Sequence, residues 1–364
     1  MIRALRFIAA AIVLFALGSG TGIAQNFGPW SDPQPVAAIN TAAAEGCPIE
    51  RPDGLALYFA TTRAGGQGKQ DIWRTFRATL QSAWGAAENL ASPVNSSEFD
   101  YCPTPLPGNK LLFVSSVQVD AVHTTATYYD CYAGDTPPPP PTGGPSAGDI
   151  FLSTEGAANV WTTPANLGCY PNGPNTAGAE FSPSLVTTAE GTFLFFSSNG
   201  YPDSAMGSQD IYMSQQANDG SFGPGVRVAE LSTNADDRMP NVRADGLEIV
   251  FSSNRAGGTA FDQDIYVAKR PNTHSPWSAP VRIDNANINT TASETRASLS
   301  ADGTRLYFGR KLDINDPGDV FVATRPLLVT PQASTQSAPS LAAPMLPLLA
   351  VLLGAFAWRR ARAG

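Results

Sequence analysis

Five short apolar runs punctuate the chain, each bounded by turn-forming residues: Leu55–Phe59, Leu111–Phe113, Phe193–Phe196, Leu247–Phe251 and Leu306–Phe308. Runs of this length, rich in aliphatic and aromatic residues, predict β-strands. Downstream of each stands an Asp followed by an aliphatic and an aromatic residue, at Asp71, Asp149, Asp210, Asp264 and Asp319. These segments predict a further strand each. No long stretch carries the periodicity of an amphipathic helix. With 33 Gly and 31 Pro in 364 residues, the class expected is all-β with many turns.

The runs belong to an internal repeat. One clear copy reads Asp237-Arg-Met-Pro240, Ala244-Asp245-Gly246, Leu247–Phe251, Ser252-Ser-Asn-Arg-Ala-Gly-Gly258, Asp264-Ile-Tyr266 and Trp277-Ser-Ala-Pro-Val281. The next holds Glu294, Asp302-Gly303, Leu306–Phe308 and Asp319-Val-Phe321. Earlier copies open on Glu45-Gly-Cys-Pro48, Asp100-Tyr-Cys-Pro103 and Glu180-Phe-Ser-Pro183. Each copy predicts four strands: one around the Pro, one after the Asp-Gly turn, one at the Asp-aromatic segment and one at the Trp-x-x-Pro-Val stretch. A lone sheet of this kind leaves both faces unburied. Stacking such sheets in a ring gives a propeller, and a linear stack is the alternative.

Closure favours the ring. The last copy ends near Arg325 without its Trp-Pro strand, yet Trp30-Ser-Asp-Pro-Gln-Pro-Val36 stands ahead of the first copy. Five aromatic starts (Trp30, Trp84, Trp161, Phe222, Trp277) match five Asp anchors. The fold expected is a five-bladed β-propeller closed by the N-terminal strand, rather than one of six or seven blades. The Ser-Ser-Asn-Arg-x-Gly-Gly…Asp-Ile-Tyr pattern resembles the WD40-like repeats of TolB-type propellers and their exported relatives, over about residues 27–326. That resemblance implies the propeller fold. TolB-type proteins also carry an extra N-terminal domain and bind a lipoprotein. No room for that domain is expected here, so the resemblance implies no particular partner.

The ends change the picture from soluble domain to exported one. Residues 1–24 read as a signal peptide, with Arg3 and Arg6, an apolar run from Ile8 to Leu17, and Gly22-Ile23-Ala24 before a cleavage point at Gln25. A transmembrane anchor is the alternative, though the run is short for a span. The propeller is expected over 25–326, with an insertion at 115–148 that includes Pro137–Pro141 and reads as an extended loop. Residues 327–344 read as a flexible spacer. Residues 345–364 read as a transmembrane or sorting tail. The apolar stretch Ala342–Trp358 would rise about 25 Å as a helix, against a hydrocarbon core of about 30 Å. Arg359, Arg360 and Arg362 follow it and should stay cytoplasmic, leaving the rest outside. This tail resembles the C-terminal sorting signals that bacterial envelope transpeptidases process. The location expected is periplasmic or cell-surface, anchored by the C-terminal segment, with the chain a monomer.

Charge excludes one class of partner. None of the 31 acidic residues, but five of the 23 basic ones, fall in residues 1–24 and 340–364. The stretch between is therefore more acidic than the chain as a whole, whose net charge is −8. No basic stripe exists to neutralise phosphates, so nucleic acid is not expected.

Four cysteines, at 47, 102, 131 and 169, suggest disulfides in an exported chain, and four allow three pairings. Cys47 and Cys102 hold the same repeat position, so they are expected to bridge, with Cys131 joined to Cys169. Four buried free thiols are the alternative. Without a Cys-x-x-Cys, and with only His123 and His274 to add, a zinc site is not expected.

The Asp of every Asp-aromatic anchor (71, 149, 210, 264, 319) and the Asp-Gly residues 53, 245 and 302 are expected to serve the fold, accepting backbone N–H groups at turns. The acid three residues before each Pro position is the candidate for function: Glu45, Asp100, Glu180, Asp237 and Glu294. If the strand they open is innermost, they would ring one channel mouth. Crowded carboxylates repel unless a cation or protons relieve them. A ligand or cation such as calcium is one reading of that ring. Five local pairs with arginines or backbone amides are the other. No other cofactor is expected. Asp313-Ile-Asn315-Asp316-Pro-Gly318-Asp319 has the oxygen density of a calcium loop without its spacing and reads as a solvated turn. Gly144-Pro-Ser146-Ala-Gly148 matches a hydrolase pattern but lacks the strand and helix around it. The expectation is a non-enzymatic binding or scaffolding protein, for a protein or small ligand of the envelope. A carbohydrate-active hydrolase using the acidic ring is the alternative, and a TolB-like accessory factor a second.

Overall fold

The computed structural model describes residues 26–116, 131, 148–204, 209–256 and 262–328. The expected signal peptide, most of the insertion, the spacer beyond Leu328, the tail, His123 and residues 144–147 lie outside these. Among the described residues there is no helix, and so none long and apolar enough to cross a membrane.

Five antiparallel sheets form the blades. Blade 1 runs Glu45–Glu50, Ala56–Thr61, Asp71–Phe76 and Glu88–Asn89; blade 3 runs Glu180–Thr188, Gly191–Ser198, Asp210–Gln215 and Val226–Arg227. Blade 4 runs Asp237–Val242, Glu248–Ser253, Asp264–Lys269 and Val281–Arg282. Blade 2 has Asp100–Leu106, Lys110–Ser115 and Asp149–Ala157, whose outer edge pairs with both Val160–Trp161 and Ala165–Asn166. Blade 5 is Ser293–Leu299, Arg305–Lys311 and Asp319–Thr324, completed by Gln34–Pro35 from the N-terminus. The second strands are the predicted apolar runs, and they carry the core: Phe59, Phe113, Phe196, Phe251 and Phe308 are fully buried. The Asp-Gly turns before them need glycine, whose φ is +71° at Gly54 and +73° at Gly246.

The N-terminal closure is as expected. Gln34 and Pro35 pair with Val322 and Phe321, and Asn26–Phe27 pairs with Leu327–Leu328. Strands and latches then tie each blade to the next. Thr104 donates to the Pro183 carbonyl across blades 2 and 3. The Val242 amide donates to Ser184 Oγ at 2.9 Å across blades 3 and 4, and the Leu299 amide to Asn241 Oδ1 at 2.8 Å across 4 and 5. Ser298 Oγ reaches the Pro48 carbonyl at 2.6 Å, closing blade 5 on blade 1. Buried ion pairs reinforce the seams, with Arg305 on Glu50 at 3.0 Å and Arg325 on Glu248 at 2.6 Å.

The fourth strands are shorter than the Trp-Pro stretches that predict them. Each pairs over two-residue stretches, and in blades 1, 4 and 5 the aromatic start lies outside the paired residues and covers an arginine instead. The guanidinium carbons of Arg77, Arg270 and Arg325 lie 4.1, 4.2 and 4.3 Å from the rings of Trp84, Trp277 and Trp30.

The innermost strands share a device that the repeat pattern does not announce. In all five, the pairing with the second strand slips by a bulge, between Gly46 and Ile49, Tyr101 and Thr104, Phe181 and Ser184, Arg238 and Asn241, and Thr295 and Ser298. The residue at the bulge is left-handed in every blade: Cys47, Cys102, Ser182, Met239 and Arg296, with φ from 47° to 60°. A proline follows in four blades. Having no N–H, it leaves no donor stranded where the ladder breaks. Both expected disulfides are present, Cys47–Cys102 and Cys131–Cys169, so the free-thiol alternative falls.

Candidate functional site

The five bulges surround a central well. Its wall is built from Cys47–Ile49, Cys102–Thr104, Ser182 and Pro183, Met239–Asn241 and Arg296–Ser298, and it is narrow and open to solvent. No carboxylate lines it.

The five candidate acids stand two residues before the bulges and do not reach this wall. Glu45, Asp100, Glu180, Asp237 and Glu294 are all buried, each folded back onto its own blade. The holding group is a Thr or Ser four residues upstream. Glu45 accepts the Thr41 amide at 3.0 Å and its hydroxyl at 2.6 Å. Ser96 serves Asp100 in the same way at 2.6 and 2.8 Å, and Thr176 serves Glu180 at 3.1 and 2.5 Å. Thr233 and Thr290 hold Asp237 and Glu294. The residue before that hydroxyl also repeats. Asn40, Asn95, Asn175, Ser232 and Asn289 each accept the amide after a third-strand Asp, as Asn95 does from Ile72 at 2.9 Å. This pair, an Asn or Ser followed by a Thr or Ser, recurs in the sequence once per blade, outside the Pro and Asp-aromatic motifs.

The repeat then breaks. In three blades an arginine neutralises the acid: Arg63 on Glu45 at 3.1 Å, Arg255 on Asp237 at 2.6 Å and Arg310 on Glu294 at 2.8 Å. Arg63 and Arg255 lie two residues beyond the second-strand residue facing the acid. That place holds Val117 in blade 2 and Gly200 in blade 3. Asp100 and Glu180 have no cation among the described residues. Burial accordingly pushes the Asp100 carboxyl up to about 7, against hydrogen bonds from Ser115 and Ser96 that act the other way. Burial raises Glu180 to about 7 against Thr176 and Ser198. The Tyr101 hydroxyl is a buried group with no hydrogen bond among the described residues. Tyr101 is fully buried and lies within electrostatic reach of Asp100, Glu180, Asp149 and Arg296.

The anchor aspartates begin the third strands and serve the blades. Asp71 accepts the Gln67 amide at 2.8 Å, and Asp149 the Cys131 amide at 2.7 Å. Asp210 and Asp264 pair instead with fourth-strand arginines, Arg227 at 3.1 Å and Arg282 at 2.7 Å. Asp319 is exposed. Asp53, Asp245 and Asp302 close their turns by accepting the amide two residues on. The 313–319 loop is held by its own carboxylates, Asp316 accepting the Leu312 amide at 2.6 Å and Asp313 the Asn315 amide at 2.8 Å. Among the described residues no three acidic, histidine or cysteine side chains converge on a point that could hold a metal ion.

No family model and no curated protein matches this sequence. Solved structures do resemble its fold. A glycoside hydrolase shares 8% identity at a TM-score of 0.50, over 84% of this chain and 94% of the other. An α-L-arabinofuranosidase from Lactobacillus brevis shares 12% at 0.49, over 78% and 90%. An endo-arabinase from Bacteroides thetaiotaomicron shares 13% at 0.47, over 82% and 97%. The five-bladed ring therefore stands, with glycoside hydrolase propellers rather than TolB-type ones as these neighbours. Neighbours that are named as hydrolases run against two expectations, a binding or scaffolding module and a chain that is not an enzyme, and neither is kept; of this chain itself the likeness shows the fold.

Proposed function

We propose that this propeller is a carbohydrate-active hydrolase whose candidate acids are Asp100 and Glu180, on the innermost strands of adjacent blades, buried and outside the wall of the central well. The observation that carries the reading is the broken repeat. Of five equivalent carboxyls, these two have no guanidinium partner among the described residues, and burial pushes both up to about 7. Glycoside hydrolysis uses two carboxyl groups, one of which must hold a proton at working pH to protonate the leaving oxygen. A carboxylate paired with arginine is held ionised and cannot do so. The glycosidases named above share the ring; the acid pair is what this chain's own residues offer.

Both disulfides favour an oxidising compartment, which supports our placing the protein outside the cytoplasm. The TolB-type resemblance is kept as a proposal about descent of the repeat, supported by Ser252–Arg255 and its counterparts.

The test is release of aglycone from a panel of aryl pentosides and hexosides. Turnover of at least one is expected, with Asp100→Asn and Glu180→Gln each costing about 10²–10⁴-fold in kcat/KM. Glu294→Gln, which alters an arginine-paired acid, should keep the rate in its folded fraction. A folded wild-type protein that cleaves none of the panel would sink the proposal.

A further inference from the structure

The well has one charged residue in its wall, and that charge is unanswered. Arg296 sits at the bulge of blade 5 with φ 60°. Its backbone amide donates to Ser252 Oγ at 3.0 Å, but its guanidinium makes no ion pair or hydrogen bond with any described residue. It lies across the seam over blade 1, so close to Gly46 that a Cβ there would stand 2.8 Å from Nη1. Protein surrounds the side chain, yet it keeps accessible surface, as a group facing a narrow well does. Burial and the nearby Arg238 pull it down to about 10, with Tyr101 opposing. It remains charged at neutral pH.

Its neighbours add to the positive field. Lys311 faces Ser293 across the first-to-second strand pairing, three residues before Arg296. Burial and the Arg296 charge both lower Lys311. Arg238, on the innermost strand of blade 4, is 3.2 Å from Asp236. An uncompensated cation inside a protein is expensive, and a chain with an excess of acidic residues has many ways to neutralise one. Leaving it bare in a cavity with no carboxylate is what an anion site requires.

We propose that the central well binds a small oxyanion, a sugar carboxylate or inorganic phosphate, on the Arg296 guanidinium. If the hydrolase reading holds, the site would select acidic saccharides; binding itself does not depend on that reading. The experiment is calorimetric titration at low ionic strength with D-glucuronate, D-glucose and inorganic phosphate. Glucuronate, phosphate or both should bind, glucose should not, and the two anion arms tell a sugar acid from a free oxyanion. Arg296→Gln should weaken anion binding at least tenfold while its melting temperature stays at or above wild type, since it removes an unpaired cation. Gly46→Ala, which keeps the charge but displaces the guanidinium, should weaken binding too. Anion binding of equal strength in wild type and Arg296→Gln, or none in wild type, overturns the proposal, whether or not any glycoside is cleaved.

Discussion

Asp100 and Glu180 keep protons in the fold that water would take from them in the unfolded chain. Their folded values near 7 lie above the ordinary 3.8 and 4.5. Below about pH 4 both states are protonated, and the full stability is present. As pH rises towards 7 the unfolded chain ionises first, so stability falls across that window and levels off above it. Urea midpoints should therefore drop between pH 4.5 and 7.5, by an amount on the order of a few kcal/mol. The double variant Asp100→Asn, Glu180→Gln should lose most of that slope. A wild-type profile no steeper than the double variant's would show these carboxyls to be ionised in the fold. The five acids are legible in the sequence as a repeat. Their direction is not, because it depends on Thr41, Ser96 and their counterparts four residues upstream. The contrast of Arg63 and Arg255 with Val117 and Gly200 is written in the chain, but it acquires meaning only when strand pairing shows which residue faces which acid.

At the scale of the element, strands and turns are largely legible and the bulges are not. Alternating and continuous apolar residues locate the second and third strands, and Asp-Gly pairs locate the turns. A left-handed residue before proline contradicts the usual preference of that position for extended backbone, so local rules point away from it. Only the ring, which needs each innermost strand to bend past its neighbour, accounts for five such residues in register. Two of them, Cys47 and Cys102, meet across a seam and close a loop with a sequence separation of 55. Replacing both with Ser should cost about 4 kcal/mol in the chain-entropy picture, read as a lower denaturation midpoint. Alkylation without reductant should add no mass to the wild-type chain, and uptake of four groups would exclude both bridges.

For the whole molecule, blade number can be counted in advance because an extra aromatic-Pro stretch at Trp30 matches a missing one at the end. The chemistry cannot be counted in the same way, since repetition hides the two blades that depart from the pattern. Deleting residues 26–36 should leave Asp319–Thr324 as an open edge. A lower melting temperature and self-association on size-exclusion chromatography are expected. A truncated chain as stable and monomeric as the parent would mean that the N-terminal strand is dispensable.

That same closure sets an order of events during synthesis. Gln34 and Pro35 precede every strand of blade 1, while their partners Phe321 and Val322 lie on the third strand of blade 5. At about 5–20 residues per second, the roughly 290 residues between them take on the order of 15–60 s. For that interval the first segment has no mate, and no closed ring can exist. The ring can close only when the strand Asp319–Thr324 is present, so the first paired segment waits on the last blade.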